Sequence, residues 1–165
     1  MLFREKGMNE EKEPLRAPTP AAAPQVSMAT PQADVLLLSC IDFRLPGKIA
    51  RYMEGRSLSG NYDHVILAGA SLGAVTTVYP HWGRTFWDHL DLAIKLHSVR
   101  RVVVLDHRDC GSYRVIFGRE LTGDDERGQH ATELRRLADA IHAVHPELAV
   151  ETLLMVIDGS VETIA

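Results

Sequence analysis

Cysteine is scarce in this chain, whose 165 residues hold only Cys40 and Cys110. Two thiols cannot build a disulfide framework, so free-thiol or metal chemistry is their expected use. Long apolar runs are also missing, and none approaches the ~20 residues that a membrane helix needs. There is no basic cluster and the net charge is −4, which argues against nucleic acid as a partner. Residues 1–7 lack the apolar core of a secretory leader, which predicts a cytoplasmic protein. Phosphate-loop signatures are absent as well. Gly69 and Gly73 stand without G-x-G-x-x-G or a following Lys-Ser/Thr, and they read as a tight turn lining a pocket.

What is present divides near residue 33. Residues 1–33 carry five prolines among alanines, threonines and a Glu-Glu-Lys-Glu run, too little apolar surface to offset chain entropy, and read as a mobile tail. The remainder, 34–165, is long enough for one domain with a single core. Its pattern alternates. Val35–Ser39 is an uninterrupted apolar strand, a helix is expected over 47–54, and a second strand over 64–68. Thr85 can cap a helix in which Phe86, Leu90 and His97 recur at helical spacing. A third strand is expected over 101–105, a long helix over 127–145 closed by Pro146, and a fourth strand over 148–157. Strands alternating with helices predict an α/β fold: one domain with a mainly parallel sheet of about four or five strands covered by helices.

The chemistry sits at the ends of two of those strands. Cys40-Ile41-Asp42-Phe43-Arg44 follows the first, and His107-Arg108-Asp109-Cys110-Gly111 follows the third. Ligands in open α/β sheets gather at the carboxyl ends of strands. If these two strands are neighbours, their ends lie about 5 Å apart. Two thiols and an imidazole then form a Cys2His set that suits zinc and leaves a fourth position open. Arg44 can hold the Asp42 carboxylate in a bidentate pair, while Asp109 reads as a cap on the following turn.

C-x-D-x-R followed by H-x2-C-G, each after an apolar strand, resembles the β-class carbonic anhydrases. The stretch Ile66-Leu67-Ala68-Gly69-Ala70 is similar to the Arg-Asn-Ala-Gly segment of that family, and residues 153–159 to its closing strand. The resemblance implies Cys40, His107 and Cys110 as zinc ligands and Asp42 and Arg44 as the catalytic dyad. It implies reversible hydration of CO2 to bicarbonate by a hydroxide held on zinc, with COS or CS2 as alternative substrates. A closed state, in which Asp42 itself coordinates zinc, is also implied. So is a homodimer or dimer of dimers with the site near the subunit boundary. Three departures stand out: Phe43 in place of Ser, Asp106 in place of Gly before the ligand His, and Ile66-Leu67 in place of Arg-Asn. They bear on pocket shape and substrate preference, and Phe43 is expected to narrow or dry the mouth.

Two other classes of function compete. A thiol phosphatase or sulfurtransferase would use a C-x5-R anion loop, whereas both thiols here stand in C-x3-R. A non-catalytic zinc protein would use the metal only to staple the fold, which leaves Asp42 and Arg44 unexplained. Of the other histidines, His142 and His145 suit a helix C-terminus, His89 and His97 packing or solvent, and His130 is placed only by tertiary structure. Trp82, Phe86 and Trp87 suit either the core or an interface.

Overall fold

The two uninterrupted apolar segments become the centre of the sheet. Val35–Ser39 (β1) and Arg101–His107 (β3) pair in parallel, Leu38 opposite Val104 and Ser39 opposite Leu105. The computed structural model describes residues 31–164. Tyr62–Ile66 (β2) pairs with the outer edge of β1, and Ala149–Met155 (β4) pairs with β3, both parallel. Val161–Thr163 (β5) closes the far edge antiparallel to β4, giving the order β2-β1-β3-β4-β5.

Burial follows position in the sheet. Leu36, Leu37, Leu38, Val102, Val103 and Val104 are shielded on both faces, as continuous apolar strands of a parallel sheet require. Each such leucine contributes about 1.5–3 kcal/mol relative to exposure. The edge strand β2 buries only Val65.

Among the described residues, five helices cover the sheet: Pro46–Gly55 (α1), Ser71–Val75 (α2), Pro80–His97 (α3), Gly111–Phe117 (α4) and Gly123–Val144 (α5). In α3 the buried Phe86, Leu90 and Ala93 recur at spacings of four and three. In α5 Leu134, Leu137 and Ile141 do the same, while Asp124, Asp125 and Glu126 favour its first turn. Helix α2 packs against α3 and α5. Its approach is set by two glycines: a Cβ on Gly73 would lie 2.4 Å from Ala68 O, and one on Gly83 2.7 Å from Ala74 O.

Several boundaries differ from the sequence expectation. Helix α3 starts five residues before Thr85, because Pro80 supplies its first turn. The Thr85 hydroxyl donates to His81 O inside the helix instead of capping it. Strand β2 runs over 62–66 and not 64–68, since residues 67–70 already form a turn closed by Ala70 N–H donating to Leu67 O at 3.1 Å. Helices α2 and α4 were not expected at all. The expected tail over 1–33 lies, up to residue 30, outside the described residues. Ala33 is buried, and its N–H donates to His97 O at 3.0 Å, so it belongs to the packed domain. No helix among the described residues is long and apolar enough to cross a membrane.

Candidate metal centre

Strand pairing brings the two motifs together. Cys40 is the first residue beyond β1, and His107 is the last of neighbouring β3. After it, Asp109 adopts a left-handed φ of 57° and turns the chain so that Cys110, at the head of α4, faces back. The ligand atoms of Cys40, His107 and Cys110 all lie within 4.8 Å of one another, and all three residues are buried.

The donor chemistry fits a metal. The His107 Nδ1–H donates to Arg108 O at 2.8 Å, which leaves the lone pair on Nε2. That Nε2 is buried and has no hydrogen-bond partner among the described residues. The Cys40 and Cys110 Sγ atoms are 3.9 Å apart. Two sulfurs, each ~2.3 Å from a tetrahedral zinc, would stand about 3.8 Å apart. These residues therefore match a Cys2His zinc site in donor type and in spacing.

Electrostatics points the same way. The hydrogen bond from the Cys110 thiol pulls the Cys40 pKa down against the cost of burial, with help from His107 and from Gly69 N–H at 3.3 Å. The same contact, together with burial, pushes the Cys110 thiol up. Burial opposes the charged form of His107, but the Cys40 sulfur outweighs it and the pKa rises. The two thiols thus share one proton, and a divalent cation would displace it and hold both as thiolates.

Asp42 and Arg44 stand beside this cluster. Arg44 Nε and Nη2 grip the two Asp42 oxygens at 2.9 and 2.7 Å, and the Arg44 backbone N–H adds a third bond at 2.9 Å. These bonds hold the Asp42 carboxyl down at about 2. Asp42 Oδ2 lies 3.9 Å from His107 Nε2. All five residues singled out from the sequence therefore converge on one place.

The sequence reading missed what braces them. Arg44 Nη1 also binds Asp109 Oδ2 at 2.7 Å, and Nη2 reaches Asp109 O at 3.0 Å, so Asp109 links the dyad to the ligand loop and does more than cap a turn. From α5, the Glu126 carboxylate accepts Asp109 N–H and pairs with Arg108 Nε at 3.1 Å. No local pattern marks Glu126, which reads as one of three acids in a helical first turn.

A cavity of about 320 Å³ opens onto Cys40, Asp42 and Cys110, walled by Ile41, Trp82 and Val115 among others. Tyr79 stacks on Trp82 with ring centroids 4.2 Å apart. Trp82 is thus a cavity wall and Phe86 a core residue. Phe43 is 89% exposed and does not line the cavity, which corrects the expectation that it narrows the mouth. It stands between Asp42 and Arg44, whose side chains are part-buried against each other.

Comparison with known proteins gives this arrangement a family. A carbonic anhydrase from Streptococcus mutans shares the fold with a TM-score of 0.57 at 17% identity, over 82% of this chain and 84% of that one. A carbon disulfide hydrolase does so with a TM-score of 0.50 at 12% identity, over 81% and 80%. An uncharacterized protein of Rickettsia conorii is 40% identical over 135 residues, 81% of this chain and 73% of its own length. Residues 30–165 match the family model described as "Putative carbonic anhydrase". Having the fold, the Cys2His cluster and a match across most of its length, the chain belongs to this carbonic anhydrase family.

Proposed function

We propose that residues 34–165 form a zinc-dependent catalytic domain that reversibly hydrates CO2 to bicarbonate. The observation that carries this reading is the convergence of Cys40, His107 and Cys110 on one point, with the Arg44-held Asp42 carboxylate beside it. Zinc bound there supplies Lewis acidity that brings the pKa of a coordinated water to about 7.

The chain supplies the rest. Asp42, ionised and fixed by Arg44, can accept a hydrogen bond through Oδ2 and so orient a hydroxyl group next to His107. Arg44 keeps that carboxylate from swinging, because Asp109 anchors the guanidinium from the other side. Ile41, Val115 and Trp82 give the cavity an apolar wall, which favours an uncharged linear substrate over water. COS and CS2 share that character, so the apolar wall also supports the sulfur analogues as substrates.

Stopped-flow hydration of CO2 by protein of known zinc content tests the assignment. Fast turnover in proportion to bound zinc is the expected result. A zinc-loaded chain that leaves CO2 untouched but cleaves COS or CS2 would move the assignment to those substrates. A zinc-loaded chain inert toward all three would mean that the metal only staples the fold.

We also propose a cytoplasmic homodimer or dimer of dimers. Two free thiols suit a reducing compartment. Ile41 at 62% exposure and Val115 are exposed apolar residues of the cavity wall, and Phe43 adds a third exposed apolar side chain next to Asp42, a signature of contact surfaces. Sedimentation equilibrium is expected to give at least twice the 18.3 kDa chain mass, and Phe43→Glu is expected to weaken the assembly. A wild-type chain that stays monomeric at micromolar concentration would refute this.

A further inference from the structure

Asp106, one residue before His107 on β3, is 1% exposed. Four donors converge on its carboxylate. Oδ1 accepts Ser71 N–H at 2.9 Å. Oδ2 accepts the Ser71 hydroxyl at 2.6 Å, the Tyr113 hydroxyl at 2.6 Å and His130 Nδ1 at 2.8 Å. A buried carboxylate with fewer partners would be costly, so its surroundings must close around it together.

Those donors come from three helices, and two of them lead straight to the metal centre. Ser71 opens α2 directly after the turn in which Gly69 N–H donates to Cys40 Sγ and Ala70 takes a left-handed φ of 43°. Tyr113 lies three residues beyond Cys110 in α4, buried, with its hydroxyl held protonated by burial and by the adjacent carboxylate. His107 is joined to Asp106 by a single peptide bond. His130, fully buried on α5 with its ring 3.9 Å from that of Tyr113, completes the set. His107 and Cys110 are thus a short covalent step from this carboxylate or a group bound to it, and Cys40 is reached through the hydrogen bond from Gly69 N–H, two residues before Ser71.

We propose that Asp106 is a positioning residue for the metal centre, its buried carboxylate setting the relative placement of His107, Cys110 and the turn that donates to Cys40. The proposal rests on the zinc reading above. Fold stability alone does not call for such a hub, since well-packed apolar groups serve a core as well as buried polar ones do. Here the polar hub lies at the strand end that carries His107 and leads into Cys110.

Competition for Zn2+ with a chromophoric chelator, and the visible spectrum of the Co2+-loaded chain, test it in the full-length protein. Asp106→Asn keeps the shape but places an amide among donors; zinc affinity is expected to fall about 10–100-fold, with the Co2+ ligand-field bands shifted. Tyr113→Phe removes one donor and should move both readouts in the same direction by less. Leu137→Ala, which opens a cavity in the core of α5, should leave both as in the wild type. Wild-type affinity and bands in Asp106→Asn and Tyr113→Phe would overturn the proposal, as would an equal loss in Leu137→Ala. If Asp106→Asn fails to fold, Tyr113→Phe against Leu137→Ala decides. A wild-type chain that takes up neither metal would overturn the zinc reading and this one with it, whereas a loaded wild type with unchanged variants overturns this one alone.

Discussion

Cys40→Ser is expected to abolish tight zinc binding and, with it, CO2 hydration. The exchange keeps the geometry of the strand end but replaces a polarisable thiolate with a hydroxyl that does not ionise near neutrality. Cys40 is the easier of the two thiols to ionise, since it takes hydrogen bonds from Cys110 and from Gly69 N–H. Its loss leaves Cys110, pushed toward the protonated form by burial, and one neutral imidazole. Two such donors fall short of the three-residue set. Zinc per chain should fall from near one to a small fraction. Turnover should fall at least about a thousandfold, which corresponds to losing several kcal/mol of Lewis-acid stabilisation. Elemental analysis after gel filtration, paired with stopped flow, reads both quantities. A Cys40→Ser protein with full zinc and full activity would remove this residue from the site.

Asp42→Asn is expected to separate chemistry from metal binding. The carboxylate is not one of the three clustered donors, so zinc content should stay near one per chain. What changes is the group held by Arg44. An amide offers one acceptor and one donor to a guanidinium that needs two acceptors at 2.9 and 2.7 Å, so the side chain must rotate or let go. The group beside His107 Nε2 also loses its negative charge. A fall in kcat of about 10²–10⁴, the usual worth of a positioned acid–base group, should follow. Activity within twofold of the wild type would make Asp42 and Arg44 a structural ion pair only.

The parts of the molecule readable from sequence were those with a local signature. Val35–Ser39 and the apolar half of β3 read as strands covered on both faces, while their being neighbours, only a condition in the sequence reading, is supplied by the structure and puts Cys40 beside His107. The H-x2-C step brought Cys110 with it, and the C-x-D-x-R run carried the dyad. The parts not readable were those built from distant polar groups. Glu126 reaches Asp109 across 17 residues, and His130 reaches Asp106 across 24. On helix α5 each of these looks like one more polar position. Asp106 shows the limit most clearly. As a departure from the family pattern it drew attention, yet nothing in its neighbours along the chain announces four donors from three distant residues. Short helices escaped for a related reason. Ser71–Val75 and Gly111–Phe117 are too brief for a periodic apolar pattern, and they owe their form to what they pack against.

The spacing of the two thiols also imposes an order of events on a newly made chain. Cys40 is synthesised early, and its partner sulfur follows 70 residues later. No shorter stretch of this chain holds two thiols, so an emerging polypeptide cannot offer the complete ligand set until β3 and the loop after it have appeared. Bringing those ends together costs loop-closure entropy that the pairing of β1 with β3 must first offset. On the proposed zinc reading, metal capture would thus come late, after closure of the sheet centre, and would lock a geometry the backbone has already drawn.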